Sequence, residues 1–326
     1  MKKYNVAILG ATGAVGQEFL NLIEERSFPF ANLKMLASKR SAGKKIQFMG
    51  KEYTVEEATE DSFKDVQIAL FAGGAASKIF APAAVKAGAV VIDNSSAFRM
   101  DPEVPLVVPE VNPQAILKHK GIIANPNCST IIMVMALKPI YDLAKIKRVI
   151  VSTYQAVSGA GKEGIDELDA QVREHSEGRE MTANILPSAS AEKHYPIAFN
   201  LIPQIDVFCD NLYTKEEMKM VNETKKIMED YEMRITATTI RVPVYRSHSE
   251  SVNIELEKEV DLGAMREALA KFPGVTVQDD PSKQEYPMPL YTSEKDDVYV
   301  GRLRRDESCE KSYNMWVVGD QIRKGA

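Results

Sequence analysis

Short apolar runs bounded by glycine, proline and polar turns recur through the first part of the chain, at positions 4–9, 33–37, 67–71, 89–92 and 121–124. Runs of this length read as strands, and helical spacing between several of them, at 17–25 and most clearly at 75–86, predicts a largely parallel, doubly wound sheet. From Ser129 onward the chain is apolar on several faces, which predicts a buried helix. Beyond it the pattern changes. Strands are expected at 149–154, 235–242, 251–256, 298–303 and 314–318, with helices near 164–174, 215–231 and 263–271. Mixed strand and helix order implies a second α/β domain whose sheet has an exposed or packed face. The expected division is 1–127 and 128–307, with a C-terminal segment of about 308–326 that could pack back onto the first domain. No internal repeat or low-complexity linker interrupts this plan.

The first strand enters Gly10-Ala-Thr-Gly13-Ala-Val-Gly16, a glycine turn that opens the first helix. The spacing is three and three, not the two and three of the commoner dinucleotide fingerprint. Each glycine can still serve the same purpose: Gly10 the tight turn, Gly13 the approach of a pyrophosphate to backbone N–H groups, Gly16 close helix-to-strand packing. A tight connection with no ligand is the plain alternative. Two further loops, 71–74 and 93–96, fall at carboxyl ends of strands, where open α/β sheets bind ligands. After the second strand comes Ala37-Ser38-Lys39-Arg40-Ser41-Ala-Gly43-Lys44-Lys45. It lacks the carboxylate that commonly meets a ribose 2′-hydroxyl, and its hydroxyl and cations suit a 2′-phosphate, so NADPH is preferred to NADH. Without a ligand this would be a solvated basic loop.

Composition narrows the function classes. The chain has 326 residues, 41 Lys and Arg against 46 Asp and Glu, and a formal charge of −5. That balance lacks the basic excess of a nucleic-acid binder and favours small-molecule chemistry. No apolar run is long enough to span a bilayer, and residues 1–9 reach the glycine turn too soon for a signal-peptide core, so no membrane partner and a cytoplasmic location are expected. Cys128, Cys209 and Cys309 are few, odd in number and far apart, which suggests free thiols and neither a disulfide framework nor a metal site.

One cysteine stands out. Gly121-Ile-Ile-Ala-Asn-Pro-Asn-Cys128-Ser-Thr places Cys128 between a short strand, a turn and the buried helix. Unpaired N–H groups and the positive end of the helix dipole there stabilise a thiolate and could hold an oxyanion. The same residue is equally readable as a small buried hydrophobe. A nucleophile needs a proton partner. His119 and His175 lie in charged surroundings and His194 precedes a Tyr-Pro turn, whereas His248, in Arg241-Val-Pro-Val-Tyr-Arg-Ser-His248, falls between two strands where a loop can present it to a cleft. Residues 162–180 are heavily charged and read as a solvated helix and loop.

The glycine turn, Asn125-Pro-Asn-Cys-Ser-Thr130, Thr153-Tyr-Gln-Ala-Val-Ser-Gly-Ala-Gly161 and the 241–248 segment together closely resemble the bacterial aspartate-β-semialdehyde dehydrogenases, in order and over nearly the whole chain. The resemblance implies an N-terminal Rossmann-like domain, a C-terminal catalytic and dimerisation domain, and a homodimer. It implies NADPH-dependent conversion of 4-phospho-L-aspartate to L-aspartate-4-semialdehyde and phosphate, toward lysine, threonine, methionine and diaminopimelate. Cys128 would attack the acyl phosphate, His248 would serve as acid/base and Gln155 would orient the reacting group.

By the same resemblance Arg241 would clamp the α-carboxylate and Arg99 would bind phosphate. Glu216 would meet the amino group and Lys219 the phosphate, with Glu217 the competitor for the acidic role. Cofactor contacts would come from Gly10, Ala11, Thr12, Gly13, Ala14 and Val15, from Ser38, Lys39 and Arg40, and from Ser158, Gly159 and Gln321. Family members usually continue past a segment like 319–326 with an apolar helix, and this sequence stops there. An N-acetyl-γ-glutamyl-phosphate reductase would share the cysteine–histidine chemistry, but its acetylated substrate has no ammonium for Glu216. A non-catalytic dinucleotide-binding sensor would not need Cys128, Gln155, Arg241 and His248 together.

Overall fold

The computed structural model describes residues 2–325, and the chain divides into two compact units between Pro126 and Asn127. In the first unit the elements run β1 (Tyr4–Leu9), α1 (Ala14–Glu25), β2 (Phe30–Ala37), β3 (Lys45–Phe48), β4 (Lys51–Thr54), β5 (Glu56–Glu57), β6 (Ile68–Phe71), α2 (Ala75–Lys86), β7 (Val90–Asp93) and β8 (Ile122–Ala124). The main sheet has the order β5-β2-β1-β6-β7-β8 with every pairing parallel. Winding direction reverses between β1 and β6, which makes the carboxyl end of β1 the switch point where such sheets bind ligands. Alternate residues of β1 serve opposite cores. Val6 and Ile8 pack with Leu20, Ile23 and Met35 on one face, and Ala7 and Leu9 with Phe63, Phe71 and Val91 on the other. Burial on both faces is why these strands read as continuous apolar runs.

The glycine turn is sterically demanding. Gly10 has φ +87°, and a Cβ on Gly16 would lie 2.2 Å from the Gly10 carbonyl oxygen and 2.7 Å from Ala11 Cα. Both obstacles are backbone, so little can yield. Gly16→Ala is expected to destabilise the protein by about 1–3 kcal/mol as an overpacking change. A lowered urea midpoint would show it, and an unchanged midpoint would contradict it.

Two features of this unit differ from the sequence reading. Part of the basic stretch after β2 is drawn into a β3–β4 hairpin, where Lys45 pairs with Thr54 and Glu52. In addition, β5 sets Glu56 and Glu57 opposite Leu36 and Ala37 at the end of β2, so carboxylates do reach this edge from a distant stretch of chain.

The second unit contains α3 (Cys128–Leu143), β9 (Ile146–Gln155), α4 (Lys162–Ser176), α5 (Lys215–Met228), β10 (Arg234–Arg241), β11 (His248–Leu256), α6 (Leu262–Lys271), β12 (Val275–Val277), α7 (Pro289–Thr292), β13 (Val298–Arg305), β14 (Ser312–Gly319) and α8 (Gln321–Lys324). Its sheet runs β10-β9-β11-β14-β13-β12. The outer pairs β10–β9 and β12–β13 are parallel, and the inner pairings are antiparallel. Helix α3 is buried almost throughout.

Asn127, expected with the first domain, belongs to the second because it caps α3: its side chain accepts from Thr130 N at 3.2 Å. Residues 308–326, read as a segment that could return to the first domain, supply β14 between β11 and β13 and the short helix α8. The charged 162–180 stretch is more than a solvated helix. Buried Glu167 accepts from Asn184 N and Ile185 N, and buried Gln171 accepts from Ile197 N and Ala198 N, so α4 anchors the irregular segment that follows it. Among the described residues no helix is long and apolar enough to cross a membrane.

Candidate active site

One end of the second sheet gathers the polar residues. Gln155 ends β9 and Arg241 ends β10, and the parallel register sets them opposite each other. His248 opens β11, whose neighbour Ser249 pairs with Tyr154. The sequence reading put His248 on a loop; it is instead the first residue of a strand and completely buried. Strand placement limits its motion more than a loop would.

Two helix starts add the remaining groups. Cys128 is the first residue of α3, at the positive end of the helix dipole. Helix α5 begins with a capping box in which Thr214 N donates to Glu217 Oε2 at 2.7 Å and Glu217 N donates to Thr214 Oγ1 at 3.2 Å. The other Glu217 oxygen accepts from Thr239 N at 3.0 Å, which ties α5 to β10. Glu217 is therefore committed to the fold. Glu216 is the acid the structure brings into the cluster: its Oε1 accepts from Asn127 Nδ2 at 2.9 Å and Gln155 Nε2 at 3.3 Å, and its Oε2 from Lys219 Nζ at 3.0 Å.

The charges balance locally. Burial opposes ionisation of Glu216, but Lys219, Asn127 and Arg241 outweigh it and hold the carboxyl below its usual range. Burial likewise works against the Lys219 ammonium, yet Glu216 and Asp206, the latter 3.0 Å away, raise it above the ordinary lysine value. For Arg241 burial is the larger influence and lowers the value, while Glu216 and Cys128 act in the opposite sense. Arg241 Nη1 donates to Ala156 O at 2.5 Å, and its buried Nε finds no partner among the described residues. An orphaned guanidinium N–H is suited to a carboxylate ligand.

His248 is held well below the usual imidazole range by burial and then by Arg241. Its Nδ1 accepts from Ala156 N at 3.0 Å, and its Nε2 lies 3.4 Å from Gln155 Nε2. Gly159 completes this corner, since a Cβ there would stand 2.7 Å from Arg241 Nη1 and 3.5 Å from His248 Nε2. Gln321 is buried and uses both ends of its amide, donating to Ser158 Oγ at 2.5 Å and accepting from Ser247 N at 2.9 Å. Sequence reasoning missed Asn127, Glu223 and Asp320. Asn127 N donates to Glu223 Oε2 at 2.6 Å, and Asp320 caps α8 while receiving Arg246 Nε. Asn127 carried a legible signal as a polar residue directly before a helix, and Glu223 repeats the Glu216 face after two turns.

In the first unit the other expected positions lie along the carboxyl ends of β1, β2 and β7. Gly10 to Gly13 form the turn, and Ala14 and Val15 start α1, which has no side-chain cap and no acid in its first turn. Ser38, Lys39 and Arg40 are exposed, with no side-chain hydrogen bond or ion pair among the described residues. This cradle and these cations fit a dinucleotide phosphate. Arg99 is buried, donating from Nε to Asn125 O at 2.9 Å and from Nη2 to Asn94 O at 2.8 Å.

Comparison with known proteins gives the family. The model of the semialdehyde dehydrogenase NAD binding domain matches residues 5–119, and that of the semialdehyde dehydrogenase dimerisation domain matches 137–324. An aspartate-semialdehyde dehydrogenase of Aquifex aeolicus is 57% identical over 99% of this chain and 94% of that protein. The chain belongs to the aspartate-semialdehyde dehydrogenase family. The Bacillus subtilis member is 54% identical over 99% of this chain and 94% of its own length. The crystal structure of aspartate semialdehyde dehydrogenase II from Vibrio cholerae superposes with a TM-score of 0.94 at 47% identity, covering 100% of this chain and 95% of that one. As an aspartate-semialdehyde dehydrogenase the chain is an oxidoreductase of amino-acid biosynthesis, and its parallel and mixed sheets are those expected from sequence.

Proposed function

We propose that this enzyme converts 4-phospho-L-aspartate to L-aspartate-4-semialdehyde and phosphate with NADP(H), through a thioester on Cys128. The observation that carries the reading is the convergence of Gln155, His248, Arg241 and the Glu216–Lys219 pair at one sheet end, with Cys128 close enough to act electrostatically on Arg241. Each charge of the substrate has a counterpart: Arg241 for the α-carboxylate, Glu216 for the ammonium, Lys219 and Arg99 for phosphate. An acetylated substrate would leave the buried Glu216 charge without its ammonium, which disfavours an N-acetyl-γ-glutamyl-phosphate reductase. A further aspartate semialdehyde dehydrogenase II structure from Vibrio cholerae, complexed with ASA, supports the substrate class.

Cys128 attacks the acyl carbon as a thiolate favoured by the helix start and Arg241, and phosphate departs. Gln155 and His248 lie beside the reacting oxygen. Bound NADPH supplies the hydride that reduces the thioester. Thiolate is a good leaving group, so the reduced adduct collapses to aldehyde and regenerates Cys128. Gln321 acts on the cofactor side indirectly, by holding the Ser158–Gly159 turn. The dimerisation-domain match supports a homodimer, and a cytoplasmic setting suits the pathway. Phosphate-dependent reduction of NADP by aspartate semialdehyde tests the reaction, and its absence would sink the reading.

The cofactor preference has its own test. Arg40→Ala is expected to narrow the NADPH over NADH preference by about 10-fold, the loss of one charge-assisted phosphate contact. Fluorescence titration measures it, and an unchanged ratio would remove Arg40 from the 2′-phosphate pocket.

A further inference from the structure

Lys219 is an unusual cation for a phosphate to meet, because two carboxylates already hold it. Its Nζ donates to Glu216 Oε2 and to Asp206 Oδ2, each at 3.0 Å. An ammonium has three N–H groups, and the third has no partner among the described residues. Side-chain exposure rises from 7% at Glu216 through 26% at Lys219 to 34% at Asp206, so the cluster opens on the Asp206 side. The remaining charge acting on it, Arg241 from β10, is buried and works through Glu216. An anion that reaches Lys219 therefore passes Asp206.

Asp206 is held in place. It lies in the segment leading into α5 with φ +68°, a left-handed conformation that Asp and Asn tolerate better than most side chains. Its Oδ1 accepts from Val207 N at 2.8 Å, its Oδ2 from Lys219, and its backbone carbonyl from Gln204 Nε2 at 3.1 Å. Each carboxylate oxygen has a second lone pair, and neither has a hydrogen to give.

Acceptors on neighbouring N–H bonds of one tetrahedral ammonium stand about 4.7 Å apart. With one oxygen of a tetrahedral oxyanion on the third N–H of Lys219, another oxygen of that ion comes within reach of the Asp206 carboxylate. The outcome depends on the ion's protons. Inorganic phosphate near neutral pH carries at least one hydroxyl, which can donate to the carboxylate. Sulfate carries none, so it sets acceptor against acceptor and negative charge against negative charge.

Building on the acyl-phosphate reading above, which gives Lys219 to phosphate, we infer that Asp206 determines the specificity of this subsite: it admits an oxyanion that presents a hydroxyl and rejects one that is fully deprotonated. Asp206 makes and breaks no covalent bond. It accepts from P–OH and, by keeping one N–H of Lys219 occupied, leaves a single N–H for the ion. The enzyme thereby separates hydrogen phosphate from sulfate, an ion of similar size and shape that a lysine alone would meet as a point charge.

Sulfate inhibition of phosphate-dependent NADP reduction tests this on the full-length enzyme, at fixed ionic strength so that screening stays constant. Wild type is expected to show a sulfate Ki at least about 10-fold above its phosphate KM, the scale of one mismatched hydrogen bond to a charged group at a partly open site. Equal constants would overturn the inference. Asp206→Asn suits the left-handed turn, keeps an acceptor for Val207 N and puts an amide that donates where the carboxylate oxygen stood. In that variant the ratio of sulfate Ki to phosphate KM is expected to fall by about 10-fold. A ratio that holds while both constants shift together would reduce Asp206 to a support for Lys219 and refute the specificity role. A general disturbance of the fold moves both ions alike and cannot imitate the expected result. Calorimetric titration of sodium phosphate and sodium sulfate into the NADP-saturated protein gives the same ratio without turnover. A wild type that separates the two ions in calorimetry yet shows no phosphate-dependent activity would refute the acyl-phosphate reading and leave the selectivity standing.

Discussion

Cys128→Ala is expected to lower the rate of phosphate-dependent NADP reduction by about 10⁴-fold or more, while the folded protein and its NADPH affinity persist. The size follows from removing the covalent route itself, because no other group at this sheet end can carry an acyl intermediate. Little structural cost is expected. Alanine is a good helix residue, α3 keeps its Asn127 cap, and its long buried stretch supplies the packing. Steady-state rates on aspartate semialdehyde with NADP and phosphate provide the measurement, with fluorescence titration as the control. Equal rates in variant and wild type would refute the assigned nucleophile.

Glu216→Gln is expected to reduce kcat/KM by about 100-fold, because truncating one member of a buried charge cluster leaves the others imperfectly compensated. Three partners feel the change. Lys219 keeps only Asp206, Arg241 loses the carboxylate that offsets its burial, and the substrate ammonium loses its counter-charge. A larger rise in KM for aspartate semialdehyde than fall in kcat is the expected division, since the contact is made before chemistry. The variant also has a pH signature. A carboxyl held below its ordinary value of 4.5 contributes stability that is present above that value and is lost as pH falls through the folded one. Wild type should therefore lose part of its advantage over Glu216→Gln in acid, read as converging urea midpoints below about pH 4.5. Midpoints that stay parallel there, or an unchanged KM, would remove Glu216 from its assigned place.

Much of the first unit is legible because a doubly wound sheet writes itself into the chain. Strands buried on both faces become apolar runs, and Gly10 and Gly16 answer backbone clashes that lie within a few residues of each other. The basic stretch after β2 was less legible. Its last residue, Lys45, enters a hairpin, and Glu56 and Glu57 arrive at that edge through strand pairing that no local pattern announces.

In the second unit the chemistry-bearing residues stand out in their motifs, but their surroundings do not. The charged helix α4 looks solvated because its polar face dominates, although Glu167 and Gln171 face inward to bind backbone N–H groups. His248 looks like a loop residue because the Pro243 segment interrupts the apolar pattern just before it, yet the pairing with β9 and β14 begins at the histidine or the next residue.

By itself the sequence determined the two-domain α/β plan, the cysteine at a helix start and the types of residue proposed to match an aspartyl phosphate, since each is written in local spacing or in a contiguous motif. Tertiary structure decided that Glu216 serves the cluster, leaving Glu217 to the helix cap, that Gln321 is spent on Ser158 and Ser247, and that His248 turns Nδ1 to the Ala156 amide. Apart from the Glu217 cap, which joins residues three apart, those outcomes depend on hydrogen bonds between groups roughly 60 to more than 160 positions apart in the chain. Neighbouring acids, or the two nitrogens of one ring, look alike until the fold supplies a partner to one and withholds it from the other.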